Sequence, residues 1–110
     1  MLDDKLIGVQ GDLAKIILGI LKDFDYKNVD KKYLNRRYAE KRNESLLGVT
    51  DPNKKIIYVA RDQSDVEREI TQLHEFAHCY LFGIGIPDLP EDEVDNIAYR
   101  WRRKMYEGLR

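Results

Sequence analysis

The chain has 110 residues, which fits one domain over residues 1–110 built on a single modest core. With 43% hydrophobic residues, 35% charged residues and a formal net charge of -1, it reads as a folded, soluble protein and lacks the positive excess of a dedicated nucleic-acid binder. The one cysteine, Cys79, excludes an internal disulfide. Together with an acidic start (Met1-Leu2-Asp3-Asp4-Lys5) and no apolar run long enough for a membrane, it points to the cytoplasm.

From Asp3 to Phe24 the apolar residues Leu6, Ile7, Leu13, Ile16, Ile17, Ile20, Leu21 and Phe24 recur mostly at helical steps. An amphipathic helix covering a sheet is expected there. Tyr33 to Ala39 alternates imperfectly and is expected as a strand. Leu46–Thr50, the turn formers Asp51-Pro52-Asn53-Lys54, and the β-branched and aromatic run Lys55–Ala60 read as a β-hairpin. A long helix then opens at Ser64 or Asp65 as cap, with Glu67 and Glu69 in its first turns. Its stripe of Val66, Ile70, Leu73, Ala77, Tyr80 and Leu81 reaches about Phe82, before a connection rich in Gly and Pro. A last helix begins near Pro90, with Val94, Ile97, Ala98, Trp101 and Met105 as its core face. The order of helix, strands, helix, helix predicts an α+β fold.

The chemistry is concentrated in His74-Glu75-Phe76-Ala77-His78, an H-E-x-x-H sequence inside the long helix. Residues four apart are rotated by only about 40° on a helix, so both imidazoles point the same way, one turn apart. Imidazole nitrogen is a good zinc ligand, and the glutamate of this motif serves the metal-activated water instead of the ion. These are the only histidines in the chain. A catalytic zinc takes three protein ligands and leaves one position open. The third must therefore be an acid or Cys79, and Cys79 is turned about 100° from His78.

The acids opening the last helix are better placed. Glu91 lies about 60° from the centre of the apolar stripe, on the side of Ala98 and Asp95. Asp92 points away from that stripe, and Glu93 falls on the other flank. Glu91 is the first choice as third ligand and Glu93 the runner-up. Asp95, one turn after Glu91, is placed either to hydrogen-bond a zinc-bound histidine from behind or to stand as a solvated acid.

The run Leu47-Gly48-Val49-Thr50-Asp51, then Ile56-Ile57-Tyr58-Val59, then Thr71-Gln72-Leu73-His74-Glu75-Phe76-Ala77-His78 resembles the compact gluzincins. These include the minigluzincins and the short metallopeptidases of phages and mobile elements related to the ImmA/IrrE family. Glu91 to Ala98 is similar to the segment that supplies the glutamate ligand there, and Glu91 and Asp95 fit the E-x-x-x-D spacing of larger gluzincins. The resemblance covers residues 46–100. It implies a zincin-like domain with a twisted sheet beside the active-site helix, and an edge strand, Ile56 to Ala60, that pairs with an extended substrate. Where the longer family pattern continues into Leu-Leu-x-Pro, this chain has Trp101-Arg102-Arg103-Lys104.

The expectation is a monomeric zinc-dependent endopeptidase acting on a peptide or protein, with no membrane or nucleic-acid partner. His74, His78 and Glu91 hold Zn2+, and Glu75 is general base and then proton donor. The alternative is a catalytically silent, zinc-stabilised regulatory or protein-binding module of phage or mobile-element origin. Tyr58, Tyr80 and Tyr99 are unranked candidates for stabilising an oxyanion, each more readily explained by packing. The basic residues Arg36, Arg37, Lys41, Arg42, Arg100, Arg102, Arg103, Lys104 and Arg110 are read as solvated helix faces.

Overall fold

The computed structural model describes residues 13–38 and 46–107. Within them run α1 (Leu13–Asp23), β1 (Asp25–Val29), α2 (Lys31–Tyr38), β2 (Gly48–Asp51), β3 (Ile56–Ala60), α3 (Asp65–Gly83) and α4 (Glu91–Glu107). The architecture is α+β; among the described residues, four helices surround a three-stranded mixed sheet of order β1-β3-β2. Strand β1 runs parallel to β3, Asp25 opposite Ile56 through Val29 opposite Ala60. Strand β2 runs antiparallel to β3, Gly48 opposite Val59 through Asp51 opposite Ile56.

Two expectations need correction, and one strand was not anticipated. The segment from Tyr33 forms helix α2, not a strand. Tyr33 and Arg37, like Leu34 and Tyr38, stand four apart, which is a helical step, and Leu34 is fully buried by it. Strand β1 escaped notice because Asp25-Tyr26-Lys27-Asn28-Val29 is polar and mostly exposed; its pairing with β3 imposes the conformation. Strand β3 is central, not an edge. Its nearly continuous apolar run suits a strand flanked on both sides, and β1 and β2 are the edges of the described sheet. The part of the first helix expected over residues 3–12, and Ala39, lie outside the described residues.

The two faces of the sheet are covered differently. Ile57 and Val59 join Leu13, Ile20, Leu73, Ala77 and Leu81 in the main core, which α4 completes with Val94, Ile97, Ala98 and Trp101. Tyr58 points the other way, its ring 5.8 Å from those of both Tyr33 and Tyr38 on α2. Val66 and Met105, expected in apolar stripes, are 54% and 40% exposed, because each sits in an outer turn of its helix.

Helix α3 carries its own start and stop. The Ser64 side chain accepts from the Glu67 N–H, and Asp65 and Glu67 place negative charge at the positive end of the dipole. At the other end Gly85 adopts φ +81, and the Ile86 and Gly85 N–H groups bond the carbonyls of Leu81 and Phe82. That is a Schellman stop, which frees residues 86–90 to turn the chain back so that α4 packs along α3.

Candidate metal centre

Helix α3 presents His74 and His78 on one face, and the first turn of α4 lies across from them. The His74 and His78 Nε2 atoms are 3.2 Å apart. Glu91 brings Oε2 to 2.8 Å from His74 Nε2 and Oε1 to 3.4 Å from His78 Nε2. Ligands about 2.0–2.1 Å from a tetrahedral zinc lie about 3.3 Å from one another, so the three side chains match the spacing of a shared ion with a small opening at the His74–Glu91 pair. Among the described residues, His74, His78 and Glu91 are the group whose ligand atoms gather in this way.

The hydrogen-bonding inventory points the same way. His74 Nδ1 is 2.7 Å from Asp95 Oδ1, and a carboxylate can only accept, so Nδ1 carries the hydrogen. In a neutral ring that leaves a lone pair on Nε2, aimed at the Glu91 carboxylate and at the second imidazole. Across the 2.8 Å from His74 Nε2 to Glu91 Oε2 two electron pairs then face each other, and a proton or a metal cation between them reconciles the contact. Asp95 therefore fixes the tautomer and orientation of His74 from behind. Glu93, on the exposed side of α4, is not part of the cluster.

Glu75 lies on the adjacent flank of α3 and is only 5% exposed. Burial pushes its carboxyl up to about 7, against the lowering effects of His74 and of the Thr50 hydrogen bond. The Thr50 hydroxyl lies 2.8 Å from Glu75 Oε1 and donates to it, with the Glu75 carbonyl 3.2 Å away on the same helix. Gly48 closes the other side. A Cβ there would stand 2.7 Å from both Glu75 Oε2 and Thr71 Cγ2, so glycine lets β2 lie against the acid. Neither Thr50 nor Gly48 stood out in the sequence. The available signal was a glycine inside a strand, which often marks a close backbone approach.

These groups line a cleft of about 890 Å³ that runs along β2. No known protein family, curated protein or solved structure matches this chain. The site therefore stands on its own geometry. Of the expected oxyanion candidates, Tyr58 is buried against α2, Tyr80 packs on Trp101 at 5.8 Å, and Tyr99 lies on the outer face of α4 beside Arg102 and Arg103. The tyrosine that lines the cleft among the described residues is Tyr38. Cys79 is buried, and burial pushes its thiol up to about 12, which suits packing and not metal ligation. Arg102 stacks on the Tyr106 ring at 4.9 Å and faces Glu69 at 3.5 Å, as a helix-face cation does. No helix among the described residues is long and apolar enough to cross a membrane.

Proposed function

We propose that the protein is a zinc-dependent endopeptidase, with His74, His78 and Glu91 holding the metal and Glu75 acting as general base. The supporting observation is the convergence of two imidazole nitrogens and a carboxylate on one point, beside a buried carboxyl group, in a cleft bordered by a strand edge that is unpaired among the described residues. A zinc ion held there supplies Lewis acidity and brings the pKa of a water towards neutrality.

The residues of the chain do the rest. Glu75, held by Thr50, accepts the proton of the attacking water and returns it to the leaving amine as the peptide bond breaks. Asp95 keeps His74 aligned. Strand β2 supplies the substrate rail. The Ala60 N–H bonds the Leu47 carbonyl, so in the antiparallel ladder the outward-pointing backbone groups of β2 are those of Gly48 and Thr50. An extended peptide that pairs with them runs past the metal ligands. The lone thiol and the absence of a disulfide fit a cytoplasmic, reducing setting.

Cleavage of a broad peptide mixture by zinc-loaded protein is the test. Chelator and Glu75→Gln should each abolish hydrolysis, the second while leaving zinc bound. A Glu75→Gln variant that still cleaves would remove the general base, and zinc binding without any cleavage would leave the metal-stabilised binding module.

A further inference from the structure

The cleft does not stop at the metal side of β2; it reaches across the outer edge to the opposite face, where Arg37 and Tyr38 of α2 line it. The two faces of β2 are distinct. Gly48 and Thr50 face α3 and Glu75. Val49 is the cross-strand partner of Tyr58, whose ring meets those of Tyr33 and Tyr38, so Val49 faces α2. Residues of an added strand share the face of the residues opposite them and alternate along the chain. A peptide residue opposite Gly48 or Thr50 thus faces the metal, and the residue between them faces Arg37.

Arg37 is exposed and forms no ion pair with a carboxylate of the described residues; it meets the Tyr33 hydroxyl at 3.5 Å and lies over the Tyr38 ring at 5.9 Å. The Tyr33 ring whose hydroxyl it meets stands 5.8 Å from the ring of Tyr58, the cross-strand partner of Val49. The one carboxylate described on this face of β2, Asp51, accepts from the Tyr38 hydroxyl at 3.4 Å and lies at the far end of the strand, two residues beyond Val49. Among the described residues, the charged group that lines the cleft beside Val49 on this face is thus the Arg37 guanidinium.

Resting on the peptidase reading, we infer that the enzyme selects extended peptides with an acidic side chain opposite Val49, read by the Arg37 guanidinium across the edge of β2. The pair is solvated, so the preference is modest and sensitive to salt.

Fluorescence anisotropy of labelled, extended peptides with Glu, Gln or Lys scanned through each position, on zinc-loaded Glu75→Gln protein, tests this without hydrolysis. The Glu peptide should bind about three- to fivefold more tightly than the Gln peptide at one position only, less so in high salt. Arg37→Gln should erase that preference and Arg37→Glu should turn it towards Lys. Equal affinities, a preference for Lys in the parent protein, no binding, or a Glu preference that survives both substitutions would each overturn the inference. Parallel cleavage by the wild-type enzyme separates the two ideas. Hydrolysis indifferent to charge sinks the Arg37 assignment alone, whereas Arg37-dependent binding with no hydrolysis sinks the peptidase reading alone.

Discussion

At the residue scale, Glu75 carries two consequences of one placement. In metal-stripped protein its carboxyl titrates at about 7, against 4.5 for an ordinary glutamate. Between those values the unfolded chain has released the proton while the native chain retains it, so stability falls as pH rises through this window. A shift of that size corresponds to at most about 3.5 kcal/mol, at about 1.4 kcal/mol per unit. His78 works in the opposite direction: burial lowers its pKa, so its contribution is lost as pH falls below the ordinary histidine value. Comparing wild type with Glu75→Gln cancels that term. Urea unfolding in chelator should show wild type losing ground to the variant between pH 5 and pH 8; parallel pH profiles would contradict the burial of Glu75. Gly48 is tested by Gly48→Ala. The added methyl must displace Glu75 or Thr71, so about 1–3 kcal/mol of stability and most of the hydrolysis should be lost. Unchanged melting and turnover would show that β2 can move aside freely.

At the scale of elements, legibility followed how local the determinants were. Helix α3 could be read because its cap, its periodicity and its terminating glycines all lie within its own sequence. The hairpin could be read for the same reason, with Asp51-Pro52-Asn53-Lys54 between two apolar runs. Strand β1 could not, since its polar residues become a strand only through the parallel register with β3, which joins segments about thirty residues apart. Helix α2 was misread because two interleaved four-residue steps, Tyr33 to Arg37 and Leu34 to Tyr38, mimic a loose alternation. The capping of α3 gives a local prediction. Gly85→Ala forces an L side chain into φ +81 and should cost about 1 kcal/mol, as should Ser64→Ala at the other end. Chemical denaturation measures both; a neutral Gly85→Ala would mean that the Schellman stop contributes nothing.

At the scale of the molecule, the site is assembled from three places that only the fold brings together. The histidine motif and Glu75 were visible as a spacing within α3, and Glu91 and Asp95 as positions on the wheel of α4. Their distances to one another depend on how α4 packs along α3 through Val94, Ile97, Ala98 and Trp101. Thr50, Gly48 and Arg37 depend on β2 lying beside α3 with α2 behind it, and sequence spacing carries no trace of that. In the proposed metal centre an ion would tie α3 to α4, so zinc binding should be coupled to the docking of these helices. At a free zinc concentration a thousandfold above the dissociation constant, the native state gains about 4 kcal/mol, which thermal melting with and without chelator will register as a higher Tm.

Equilibrium dialysis of chelator-stripped protein against zinc, read by elemental analysis, bears most directly on the metal centre. Wild type should take up one equivalent, and His74→Ala, His78→Ala and Glu91→Ala should each weaken uptake sharply, while Glu93→Ala retains it. Wild type that takes up no zinc, or a His74→Ala and His78→Ala double variant that binds it as well as wild type, would contradict a shared metal at His74, His78 and Glu91.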